Sequence, residues 1–288
     1  AEHGMVCTSH PLASQIGLEI LKDGGNAIDA AIAANAALGL MEPTGCGVGG
    51  DLFALVWDSK TKKLYGLNAS GRSPESLTLD TLRAMGLKKI PAYGPLPVTV
   101  PGAVDGWVAL HNRFGSIPIK NILEPAIRYA ENGFPVTELI GYYLKSIDKF
   151  QHMGYPNIAA TYLHPNGGER PKSGTRFRNP ALAKTYRVIA KNGRKGFYEG
   201  VIAETITGFI QEQGGFLTLS DLRKHHSQWV EPVSVKYRGY DVWELPPNSQ
   251  GIAALQLLNI LENIDFSPLA WASEEHLHYF IEAKKRVF

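Results

Sequence analysis

The chain has 288 residues, enough for one large layered domain or two of ordinary size. Apolar residues make up 44% and charged residues 19%, and basic residues exceed acidic ones by only 29 − 27 = 2 with no long basic block, which excludes a basic nucleic-acid-binding module. Two cysteines, Cys7 and Cys46, exclude a small disulfide-stapled scaffold.

Leu12, Ile16, Ile20 and Leu21 recur at helical spacing before Gly24-Gly25, which predicts a first helix over 11–24. Asn26 predicts the cap of a second helix, with Asp29 in its electropositive first turn, and Glu42-Pro43 ends it. Its alanine-rich stretch, Ala27 to Ala37, favours helix and lets neighbouring backbones come close. A glycine cluster follows (Gly45, Gly47, Gly49, Gly50), then two extended runs, Leu52–Trp57 and Lys63–Ala69, joined by the turn Asp58-Ser59-Lys60-Thr61. The order is helix, helix, glycine loop and β-hairpin.

A proline-rich connector covers 90–101, and helical patterns resume over Ala103–Phe114 and Ile119–Asn132. Residues 154–180 read as a polar excursion with Pro165, Gly167, Gly168, Pro171 and Gly174. One strand is expected over Ser234–Leu245, an apolar helix over Ile252–Leu261 and a last helix over Ser273–Phe288. The longest charge-free stretches, Ile90–Val104 and Leu245–Leu261, are broken by prolines and fall short of the ~20 apolar residues a bilayer span needs, so no membrane span is expected. The residues from Ala1 carry no basic segment leading into an apolar run, so a signal peptide is not expected here and a cytoplasmic setting is favoured over a periplasmic or secreted one.

Four clusters invite a functional reading. The glycine cluster precedes a strand, whereas dinucleotide binding needs strand, glycine turn and helix, so the phosphate would have no helix N-terminus to meet. Pro247-Asn248-Ser249-Gln250-Gly251 lies between strand and helix, where a nucleophilic serine belongs, but it starts with proline and leaves only Asp265 with His276 or His278 to complete a triad. Glu274, His278 and Glu282 share a helical face, and a solvated charged stripe accounts for them more simply than a metal site. No metal or other cofactor is expected. Arg72 follows the second strand in Ser70-Gly71-Arg72-Ser73-Pro74 on a backbone stiffened by its neighbours. Its guanidinium can take a carboxylate bidentately, although a surface ion pair is the simpler reading of the residue by itself.

Several separated blocks, in one order, resemble the γ-glutamyltranspeptidase family, including its cephalosporin-acylase-like members. They are Ile20-Leu21-Lys22-Asp23-Gly24-Gly25-Asn26-Ala27-Ile28-Asp29-Ala30-Ala31, the glycine cluster with Asp51-Leu52-Phe53, Val100 to Trp107, Glu124-Pro125-Ala126-Ile127, Tyr237-Arg238-Gly239-Tyr240 and Pro246 to Gly251. The resemblance implies an α+β N-terminal nucleophile hydrolase, an αββα four-layer sandwich, in which residues 1–288 form the large subunit, a single domain shared with a small subunit cut from the same precursor. It further implies that the nucleophile is the N-terminal threonine of that small subunit, with no catalytic residue in this chain. Arg72 then matches the arginine that holds the substrate α-carboxylate, with Ser70 and Gly71 lining its pocket. The implied substrate is a γ-glutamyl amide such as glutathione. The shortened Arg72-Ser73-Pro74 departs from the transpeptidase string and looks more like the acylase branch, so a glutaryl-type acyl amide is the alternative, and a non-catalytic carboxylate-binding relative is another.

Overall fold

The computed structural model describes residues 1–163 and 168–288, so Pro165 and Gly167 of the expected excursion lie outside the described residues. These residues form two compact units, one of residues 1–51 and 70–226, the other of 52–69 and 227–288.

The first unit is mainly helical. Helix α1 (Pro11–Lys22) starts where the His10 ring accepts the Leu12 N–H and stops two residues before the expected end. Helix α2 (Ala27–Met41) opens with a capping box, in which Asn26 Oδ1 accepts the Ile28 and Asp29 N–H groups while Asp29 Oδ2 accepts the Asn26 N–H at 2.9 Å. Asp29 is fully buried, and its remaining capacity is met by the Ser116 N–H and hydroxyl. Alanines let α2 bury nearly its whole circumference, and α1 packs directly on it.

Short helix α3 (Leu79–Ala84) precedes the connector; α4 (Ala103–Phe114) and α5 (Ile119–Asn132) then run as the sequence predicts. A two-residue ladder pairs β3 (Phe134–Pro135) with β4 (Arg176–Phe177); between them lie the short helices α6 (Glu138–Tyr143) and α7 (Ser146–His152) and, within the polar excursion expected over 154–180, a π-helical turn at Ala159–Leu163. Helices α8 (Pro180–Tyr198), α9 (Val201–Glu212) and α10 (Leu219–Lys224) complete the unit. Helix α8 packs on α5, kinks at Gly193, and ends at the buried Tyr198. From its middle turn Tyr186 donates its hydroxyl to the Ala36 carbonyl at 2.8 Å, tying α8 to α2.

The second unit carries the main sheet. Strand β1 (Leu52–Asp58) pairs antiparallel with β2 (Lys63–Ala69) from Leu52↔Ala69 to Asp58↔Lys63, around a turn in which Asp58 accepts the Lys60 N–H and the Thr61 hydroxyl. β5 (Gln228–Val230) adds to the other side of β2, which leaves β1 as an edge. The single strand expected over 234–245 is instead a hairpin of β6 (Val233–Tyr237) and β7 (Tyr240–Glu244). Arg238 and Gly239 both take positive φ, 52° and 85°, the tight two-residue turn that matches strand twist. Helices α11 (Gly251–Leu261) and α12 (Glu274–Val287) finish the unit. The whole is α+β, and no helix among the described residues is long and apolar enough to cross a membrane.

Candidate substrate-binding site

Leaving β2, the chain enters the first unit through half-buried Ser70, then Gly71 and Arg72. This segment is held from two sides. The Asp51 carboxylate accepts the Gly71 N–H at 2.9 Å, and the Arg72 carbonyl accepts the Val100 N–H at 3.0 Å. Position 71 has to be glycine: a Cβ there would lie 1.7 Å from the Val100 carbonyl oxygen. Farther on, Asp221 of α10 accepts the Glu75 N–H at 3.0 Å, and Lys224 reaches the Glu75 carboxylate at 2.7 Å. The backbone around Arg72 is therefore tied down, whereas its side chain is exposed. Among the described residues its guanidinium makes no hydrogen bond or ion pair. The surface ion pair that was the simpler sequence reading is absent there.

Gripping that segment is the loop before α4. The Gly50 carbonyl, at the end of the glycine cluster, accepts both the Gly102 and Ala103 N–H groups at 2.9 Å, so the cluster is a close-approach turn rather than a phosphate cradle. Below it lies a polar cluster that sequence reasoning missed. Tyr198 donates its hydroxyl to the Pro101 carbonyl at 2.6 Å and accepts the Asp105 N–H at 3.1 Å. Arg194 Nε donates to Asp105 Oδ1 at 2.6 Å, and another of its nitrogens reaches the His225 carbonyl. The His225 ring stacks on Tyr198 with centroids 5.6 Å apart and is 3% exposed, with neither ring nitrogen hydrogen-bonded. Burial lowers the His225 pKa from its ordinary value; the Arg194 and Arg72 charges lower it further, against an opposing pull from Asp105. Burial likewise pushes the Tyr198 phenol well above the usual range. Asp105 lies within a block the family resemblance singles out, but Arg194, Tyr198 and His225 belong to no motif, and only the fold brings them together.

The other sequence candidates are placed elsewhere. Ser249 sits in the second unit just before α11, its hydroxyl within 3.4 Å of the Gly251 N–H, as a helix-start residue. Helix α12 carries Glu274, His278 and Glu282, and among the described residues no group of His, Cys, Asp or Glu could hold a metal ion. A cleft of about 400 Å³ beside the glycine cluster is lined by Pro43, Cys46, Val48 and Tyr162, among others, and not by Arg72.

The α+β architecture is that of the N-terminal nucleophile hydrolases. Residues 13–288 match the family model for gamma-glutamyltranspeptidase, and the chain belongs to that family. It is 41% identical over 286 residues to the glutathione hydrolase-like YwrD proenzyme of Bacillus subtilis (strain 168), covering 99% of this chain and 53% of that protein. Among solved structures, the cephalosporin acylase from Bacillus halodurans superposes with a TM-score of 0.91 at 45% identity, covering 99% of this chain and 53% of that one. The Helicobacter pylori gamma-glutamyltranspeptidase also gives 0.91, at 33% identity, covering 100% and 82%. The chain thus spans about half the length of the curated relatives it matches.

Proposed function

We propose that this chain is the large-subunit portion of a self-processing amide hydrolase or acyltransferase whose substrate carries a carboxylate held by Arg72. The observation that carries the reading is the unpaired, exposed guanidinium of Arg72 on a fixed backbone, at the position where the resemblance puts the carboxylate anchor. Arginine suits that role because its planar fork makes two parallel charge-assisted bonds to one carboxylate.

The bond-breaking group belongs to the partner subunit. A threonine hydroxyl is a poor nucleophile until a base removes its proton; a free α-amino group, with a pKa of ~7.7–8.0, is matched to that task near neutral pH. Cleavage of the precursor supplies that amine, so processing is also activation. The hydroxyl oxygen attacks the amide carbonyl, its proton passes through the amine to the leaving nitrogen, and the C–N bond breaks to give an acyl-enzyme. Water or an amino acceptor then takes the acyl group. Neither step needs a metal or a cofactor.

The acyl group is a γ-glutamyl residue, as in glutathione, under the first reading. A glutaryl-type group is the second, favoured by the shortened Arg72-Ser73-Pro74 sequence and by the 45% identity to the B. halodurans acylase. In the processed enzyme, Arg72→Ala is expected to remove ~1.5–3 kcal/mol of binding, a ten- to hundredfold rise in KM for a γ-glutamyl anilide, with partial recovery in Arg72→Lys. An unchanged KM would show that the anchor lies elsewhere. N-terminal sequencing of every chain in the purified protein tests the partner: one chain should begin with threonine.

A further inference from the structure

We infer that Tyr198 is a positioning residue for Arg72, acting through residues 100–102; the inference rests on the reading of Arg72 as a carboxylate anchor. Its buried hydroxyl pins two backbone groups at once, the Pro101 carbonyl at 2.6 Å and the Asp105 N–H at 3.1 Å, on either side of the α4 start. One residue before Pro101, the Val100 N–H holds the Arg72 carbonyl at 3.0 Å, and the Val100 carbonyl occupies the space a side chain at position 71 would need. A displacement of Pro101 therefore passes to Val100 and from there to the backbone that carries the guanidinium. Because the Arg72 side chain has no partner of its own among the described residues, that backbone is what aims it.

Tyr198 is itself over-determined. The Arg194 guanidinium lies 4.7 Å from its ring centroid and the His225 ring stacks on it, while Arg194 is fixed by Asp105 and by the His225 carbonyl. Burial keeps the phenol protonated, so it remains a donor to Pro101 at every pH at which the enzyme would work. A tyrosine that only filled space would leave its hydroxyl idle or wet. Here it serves one donor and one acceptor, and removing it takes a hydrogen-bond partner from both backbone groups.

The test uses enzyme made from the full-length precursor and three anilides: L-γ-glutamyl-4-nitroanilide, glutaryl-4-nitroanilide, and 4-aminobutanoyl-4-nitroanilide, which lacks the carboxylate. Tyr198→Phe should raise KM for the first two by about five- to tenfold with kcat within about twofold, the scale of one lost buried hydrogen bond felt at a neighbouring contact. The third substrate should change by less than about twofold in kcat/KM, and in an Arg72→Ala background the Tyr198→Phe change should add less than about twofold for any substrate. Equal loss on all three substrates, an unchanged KM, or full additivity with Arg72→Ala would overturn the inference. Arg72→Ala alone separates the two readings. If it leaves KM unchanged, the anchor assignment fails; if it raises KM and Tyr198→Phe does not, only the positioning role fails. Should Tyr198→Phe not yield folded enzyme, Arg194→Gln releases Asp105 and the His225 carbonyl from a less buried position. A carboxylate-selective rise in KM of about two- to fivefold then supports the inference, and a non-selective change or none overturns it.

Discussion

His225 shows how much chemistry sits behind an exposed arginine. A histidine whose pKa is lowered in the fold binds fewer protons there than in the unfolded chain, so its contribution favours the native state above the unfolded value of ~6.5 and is lost as pH falls through that value toward the folded one. His10, buried and also lowered by burial against the pull of Glu42, acts with the same sign. Urea titrations should therefore show stability falling from pH 7 to pH 5, by up to ~1.4 kcal/mol per pH unit for each of the two groups. His225→Asn should flatten part of that slope, and a slope identical to the parent's would remove His225 from the account. The two cysteines make a second contrast. Cys7 is exposed, whereas burial, with the Glu42 charge adding to it, pushes the Cys46 thiol up to about 11. Thiolate is the reactive form, so at pH 8 iodoacetamide should modify Cys7 first and spare Cys46 until the protein unfolds, which peptide mass mapping reads directly. At this scale the local sequence marked Arg72 only as an arginine on a stiffened strand end, and it was the family resemblance, not the local pattern, that singled it out as an anchor with Gly71 beside it. Neither could expose Tyr198, which is 97 residues from Pro101 along the chain and meets it only once α8 has packed.

Elements with local signals are where the sequence is most informative. Asn26 and Asp29 announce α2 because a capping box is a four-residue interaction, and the hairpin of β1 and β2 follows from two extended runs joined by the polar turn Asp58-Ser59-Lys60-Thr61. The 233–244 hairpin hid its turn, since apolar and aromatic residues alternate almost without interruption through Arg238-Gly239. Helices α8 to α10 carry mixed faces with glycines at 193, 196, 200 and 208, and their apolar periodicity becomes plain only against the partners they pack on. The cap is the sharper test of element-scale reasoning. Asn26→Ala removes the acceptor of two N–H groups and the Nδ2 contact to the Phe114 carbonyl, so the loss in stability should exceed an ordinary cap's ~1 kcal/mol and approach ~2 kcal/mol. Chemical denaturation of the variant measures it, and a loss below ~0.5 kcal/mol would mean that packing alone fixes the start of α2.

At the scale of the molecule, the edge strand is the feature that an isolated chain tolerates least. Phe53, Leu55 and Trp57 alternate along β1 and are 41%, 41% and 61% exposed, all on one face, and among the described residues β1 has a neighbouring strand on one side only. A row of large apolar side chains beside an open ladder invites another strand, and natural proteins normally blunt such edges with charge, proline or a covering element. Here Asp58, at the end of the strand, supplies the one charge, and it faces opposite to the three apolar residues. For the small subunit proposed above, the exposed row offers a surface to bury. At ~25 cal/mol per Å² of apolar area, covering three such side chains is worth several kcal/mol. The 288-residue chain produced alone should therefore self-associate at micromolar concentration and bind a hydrophobic dye, and Leu55→Lys with Trp57→Lys should return it toward a monomer in sedimentation velocity. The same pair of changes in the full-length precursor should lower the yield of processed, two-chain protein. A parent chain that sediments as a monomer without binding dye, together with a precursor indifferent to both lysines, would mean that β1 faces water in the working enzyme and that the partner docks somewhere else.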